Sequence, residues 1–167
     1  MPNMSEASLS SHLARGALCG LAGTAVMTAF QKLVEMPITG RGDSYAPAKF
    51  AEKVLPIGRK RQRDRRRLNY LVHFGLGVGW GTAYGAAAHN GLRGQRAVAV
   101  VFGVVYTGDV LINTALGLYR PWEWSRQDTA IDVIEKLIQA EATGAVFDRL
   151  VTRPSGVHGE PAVSGAA

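Results

Sequence analysis

Residues Leu68–Gly91 read LNYLVHFGLGVGWGTAYGAAAHNG. At a spacing of four they present His73, Gly77, Gly81, Gly85 and His89, one helix face stripped of side chains with a histidine at each end. Such a face lets a second helix backbone approach closely, which is how helices associate in lipid. The stretch carries no Asp, Glu, Lys or Arg, and it is long enough to cross a hydrocarbon core about 30 Å thick. In water each of those glycines would cost a helix about 1 kcal/mol. The pattern predicts a membrane helix whose glycine face lies at the centre of a bundle.

The segment just upstream, GRKRQRDRRR, carries Arg59, Lys60, Arg61, Arg63, Arg65, Arg66 and Arg67. These seven exceed the formal net charge of +6 for the whole chain of 167 residues, so the basicity belongs to one place. Two readings apply. A basic run binds phosphates of a nucleic acid without sequence choice, but no aromatic residues interleave this one to stack on bases. Set against an apolar span, it fixes topology and touches anionic lipid, at about 1 kcal/mol per basic residue near the surface. The expected partners are therefore the lipid bilayer and anionic lipid at the basic loop 38–67, and nucleic acid is not expected.

Working outward, Leu13–Met36 reads as a first span with Gly16, Gly20, Thr24 and Thr28 again spaced by four. Gln31, Lys32 and Glu35 interrupt its second half, and Pro37 is expected to end it. A weak short helix is expected around Pro47–Val54. After the second span, Asn90-Gly91-Leu92-Arg93-Gly94 is turn chemistry, which makes the next helix its antiparallel neighbour. That third span, Ala97–Tyr119, is strongly apolar, with Asp109 as its one charge. Tyr119, Trp122 and Trp124 follow as interfacial anchors. Thr129–Val151 is an amphipathic fourth helix, apolar at Ile131, Ile134, Leu137, Ile138, Ala145 and Val146. It either packs on the bundle or lies at the interface.

The expectation is an all-α fold, a small transmembrane helical bundle of three to four helices. It forms one domain over 13–153, between disordered tails at 1–12 and 154–167. Twelve Lys and Arg in the 38–67 and 120–128 loops face five on the opposite side, which places the basic loop in the cytoplasm. The run G-x-A-G-T-A-V-M-T at 20–28, the small-residue second helix, and D-x-x-x-N at 109–113 with its aromatic Pro-Trp loop resemble small uncharacterised multi-pass proteins of bacterial inner membranes. The resemblance covers about residues 16–150 and implies neither an activity nor any site residue.

Catalytic and cofactor signatures are absent. Cys19 is the only cysteine, which excludes a disulfide framework and a cysteine metal site. GLGVGWG at 75–81 lies inside an apolar helix and not at a strand-to-helix turn, so it is no dinucleotide fingerprint. No metal ligands, cofactor or catalytic residues are expected. What remains is polar chemistry inside the spans, where an ionisable group costs about 2.5–3.5 kcal/mol. Register pairing across the hairpins puts His73, Asp109, Asn113 and Glu141 at a similar depth. Such a cluster would serve a proton relay or a small polar site, or would simply lock helices together. Two functions follow. One is a structural or accessory membrane protein acting through the packing glycines Gly16, Gly20, Gly77, Gly81 and Gly85, with a second copy or another membrane protein as partner. The alternative is a small transporter or proton-conducting protein using the polar cluster.

Overall fold

The structure is a computed structural model that describes residues 8–57 and 61–152. Arg59, Lys60, most of the N-terminal tail and the whole C-terminal tail lie outside the described residues. Among the described residues the chain is all helical, without a strand. The described residues form five helices, the short one expected around Pro47–Val54 among them. They are α1 (Leu9–Thr39), α2 (Ala46–Val54), α3 (Gln62–His89), α4 (Gly94–Ala115) and α5 (Arg126–Thr152). Two of them, α1 and α4, are long and apolar enough to cross a membrane. α3 is not one of these two: its glycines, Asn69, His73 and tyrosines lower the hydropathy even of its uncharged stretch.

Several boundaries differ from the expectation, each for a local reason. α1 begins at Leu9, where the Ser8 hydroxyl accepts from the Ser11 N–H, so residues 9–12 belong to the helix and not to the tail. Pro37 does not end it. A π-helical stretch, Gln31–Glu35, offsets the hydrogen-bond ladder ahead of the residue that lacks an N–H. The helix stops only at Gly40, whose φ of 70° is left-handed. α3 begins six residues before the glycine stretch, because Gln and Arg are good helix formers and nothing in 62–67 breaks a helix.

The α3–α4 and α4–α5 connections use one device. Leu92 N–H donates to Ala87 O and Gly91 N–H to Ala88 O; Leu118 N–H donates to Asn113 O and Gly117 N–H to Thr114 O. Both are paired C-terminal closures around a glycine with positive φ, 85° at Gly91 and 71° at Gly117. α5 starts three residues earlier than expected because Ser125 and Asp128 cap it reciprocally. The Ser125 N–H and hydroxyl both donate to Asp128 Oδ2, and the Asp128 N–H donates to Ser125 Oγ.

α1 packs on α3 and on α5, while α2 packs on α3 and α4 packs on α3 and α5. A Cβ on Gly16 or Gly20 would overlap the carbonyl oxygen of Gly81 or Gly77 respectively, and a Cβ on Gly81 would come within 2.6 Å of Gly20 Cα. Gly85 lies against the backbone of His12, and Gly77 against the Thr24 side chain. Backbone therefore packs on backbone where Gly16 and Gly20 of α1 meet Gly77, Gly81 and Gly85 of α3. On another side of α1, Gly23 meets Thr143 and the Gln139 carbonyl of α5. Gln139 Nε2 donates to Thr24 Oγ1 at 2.9 Å. α5 is thus a packed member of the bundle, and its inward face is Gln139, Ala140, Thr143, Gly144 and Phe147. Ile134 and Leu137, expected to form an apolar packing face, point outward instead.

α3 and α4 meet mainly near their connecting turn. There Trp80, Tyr84 and Ala88 pack with Ala97, Val98 and Val101. Farther from the turn, Gly75, Gly79 and Gly108 have no atom within 4 Å of where a Cβ would stand. The hairpin is splayed at that end.

Candidate functional site

The splay leaves a cavity of about 510 Å³ bounded by α1, α3, α4, α5 and the 43–50 segment. Met27, Leu76, Trp80, Val105 and Ile112 supply its apolar wall. Its polar wall comes from α4 and α5, whose facing turns carry Asp109, Asn113, Asp132, Glu135 and Lys136.

Asp109 and Asn113 sit one helical turn apart, so their side chains meet. Asn113 Nδ2 donates to Asp109 Oδ1 and to the Asp109 carbonyl, both at 2.9 Å. Lys136 reaches across from α5, with Nζ 3.5 Å from Asp109 Oδ2, and it also pairs with Asp132 on its own helix. The same ammonium lies 5.4 Å from the ring centroid of Tyr106 and 5.9 Å from that of Tyr119, where the ring faces add attraction for a cation. Three carboxylate oxygens, Asp109 Oδ2, Asp132 Oδ2 and Glu135 Oε1, are buried without a hydrogen-bond donor among the described residues, the first of them with the Lys136 ammonium 3.5 Å away. A buried carboxylate lacking a partner is costly, so this wall holds more negative charge than Lys136 alone balances.

Of the four expected cluster residues, three line this one cavity: His73, Asp109 and Asn113. His73 does not touch Asp109. Its Nε2 lies 3.0 Å from Thr28 Oγ1 on α1, and the Thr28 hydroxyl also contacts the Thr24 carbonyl. Glu141 is elsewhere. It accepts from Gln95 Nε2 at 2.9 Å, near the α3–α4 turn. α4 ends at Ala115 and α5 begins at Arg126, so the turn lies earlier than the register pairing assumed. That brings Asp132 and Lys136, not Glu141, level with Asp109. The three residues of α5 that complete the wall were legible as Asp132, Glu135 and Lys136, spaced to share one helix face. Thr28 carried no such signal.

At the mouth of the cavity, Lys32 is paired with Asp43. Beside it, α2 is clipped onto the start of α3. Asn69 Oδ1 accepts from the Ala48 N–H at 3.1 Å, and Asn69 Nδ2 donates to the Ser44 carbonyl at 3.0 Å. Arg65 belongs to this clip: it donates twice to Glu52, at 3.2 and 3.3 Å, and stacks over Tyr45. It is not free for a lipid headgroup, unlike Arg61, Arg63, Arg66 and Arg67, which are exposed. The packing glycines Gly16, Gly20, Gly77, Gly81 and Gly85 all lie in the α1–α3 contact, away from the cavity.

Among the described residues no group of His, Cys, Asp and Glu is arranged to hold a metal ion. At the start of α5, outside the cavity, Asp128 has a clear cause for a shift. Hydrogen bonds from the Ser125 hydroxyl and N–H, helped by Arg41 at 3.3 Å, hold its carboxyl below the usual carboxylate range. Cys19 is buried and free, a small packed residue as its apolar neighbours implied. No protein-family model, curated protein or solved structure matches the chain.

Proposed function

We propose that this is a multi-pass inner-membrane protein whose cavity takes up a small polar solute, as a small transporter or solute-binding protein. The observation that carries this reading is the set of charged groups on one wall of the cavity, Asp109, Asp132, Glu135 and Lys136. Groups of this kind inside a bundle are expensive and mark solute or ion paths, and the volume falls in the range of small-ligand sites.

Support for the membrane setting comes from the apolar side chains left on the outside. Thr24, Asn113, Gln139 and Thr143 are buried, whereas Leu18, Leu33, Leu71, Val104 and Leu111 are exposed, Leu33 at 75%. A soluble monomer seldom shows so much apolar side chain on its outside. The accessory alternative draws on the glycine faces, but Gly77, Gly81 and Gly85 are already covered by α1 of the same chain. These three glycines are therefore not a face on which a partner could pack.

Thiol labelling tests the solute reading. In a Cys19→Ala background, Gly79→Cys and Gly108→Cys add a side chain where nothing stands within 4 Å. Both should react with a membrane-impermeant maleimide from the side of the basic loop, whereas Leu111→Cys on the outer face should not. Unreactive thiols at both cavity positions in the membrane would overturn the reading.

A further inference from the structure

Resting on the solute reading, we infer that the ligand is an organic cation, an ammonium head on a small apolar body. Three features of the cavity converge on this class. First, its inner wall sets Asp109, Asp132 and Glu135 against the single cation Lys136. Second, Asp132 Oδ2 and Glu135 Oε1 are buried with no donor among the described residues, and an N–H donor carrying positive charge is the group that satisfies both deficits at once. Third, Tyr119 lines the cavity and already holds the Lys136 ammonium 5.9 Å from its ring centroid, so the site displays on its own side chain the chemistry it would offer a ligand. The opposite wall of Met27, Leu76, Trp80, Val105 and Ile112 is apolar and suits the body of the ligand. The basic residues at the mouth do not change this balance. Lys32 is neutralised by Asp43, and Arg66 is exposed. An anionic solute would have to sit beside three carboxylates with one lysine to offset them.

The experiment uses the full chain in lipid nanodiscs with three probes of matched shape: 2-phenylethylammonium, 2-phenylethanol and phenylacetate. The readouts are protection of the Gly79→Cys thiol and the thermal midpoint of the unlabelled native protein. The ammonium should protect the thiol and raise the midpoint, with affinity at least about tenfold above the alcohol and the carboxylate. Glu135→Gln and Asp132→Asn should each weaken the ammonium by about tenfold while leaving the alcohol unchanged. Glu135→Gln removes a charge that has no ion-pair partner among the described residues, and Asp132→Asn leaves Lys136 its contact with Asp109, so both should fold. Equal or tighter binding of phenylethanol or phenylacetate overturns the cation class and leaves the solute cavity standing. A reactive thiol that none of the three protects also overturns the cation class. Failure of the thiol to label at all overturns the solute reading itself.

Discussion

Glycines only two residues apart on α3 have opposite consequences. Gly81 is pressed against the α1 backbone, whereas Gly79 faces open cavity. Gly81→Ala should therefore force the helices apart and cost about 2–3 kcal/mol. Gly79→Ala should be neutral or should stabilise α3 by up to about 1 kcal/mol, since alanine is the better helix former. Thermal unfolding in mild detergent separates the two; equal effects would show that the glycine face is not the contact. Lys136 is the other residue whose replacement should be felt. Its side chain is 16% exposed and serves Asp109 and Asp132 together. Lys136→Met leaves three neighbouring carboxylates without their cation and should cost about 3 kcal/mol by denaturant unfolding.

The start of α5 is held by the reciprocal cap of Ser125 and Asp128 and by the Arg41 contact. Ser125→Ala should fray the first turn at a cost of about 1 kcal/mol, seen as faster amide exchange at Thr129 and Ala130. Because the Asp128 carboxyl is held below its ordinary range, its stabilisation is present above the unfolded value and is lost as pH falls through the folded one. Asp128→Asn should flatten that acid limb of stability while leaving the neutral-pH exchange elsewhere on α5 unchanged. In α1, local sequence misled in a different way. Pro37 reads as a terminator, yet the π-helical stretch before it lets the helix continue to Thr39. Propensity records what proline lacks, not how a neighbouring turn can absorb it.

Across the bundle, two ends are distinguishable by their contacts. Arg41 pairs with Asp128 at one end, joining the 40–45 segment to the start of α5. At the other end the His12 and His89 rings lie 5.4 Å apart, and Gln95 meets Glu141. The basic loop and the Pro121–Glu123 turn thus share an end, which is the pairing that the count of Lys and Arg requires for a cytoplasmic face. Alkaline phosphatase fused after Ile57 should be inactive in a bacterial host, and after Leu92 active. The reverse pattern would invert the orientation and with it the side from which the cavity fills.

The glycine spacing in Leu68–Gly91 was sufficient by itself to predict a helix and the face it packs with, because close backbone contact requires one residue type at one period. The turn at Asn90–Gly94 and the Asp109–Asn113 pair were equally legible, since each is settled within a few neighbouring residues. Three things were not. Which helix fills the glycine face depends on α1 offering its own glycines at matching height. Which residue stands level with Asp109 depends on where the α4–α5 turn begins, and a shift of one turn exchanges Glu141 for Lys136. The cavity exists because glycines that face away from any partner leave α3 and α4 apart, and spacing alone does not distinguish a glycine that admits a backbone from one that leaves a space.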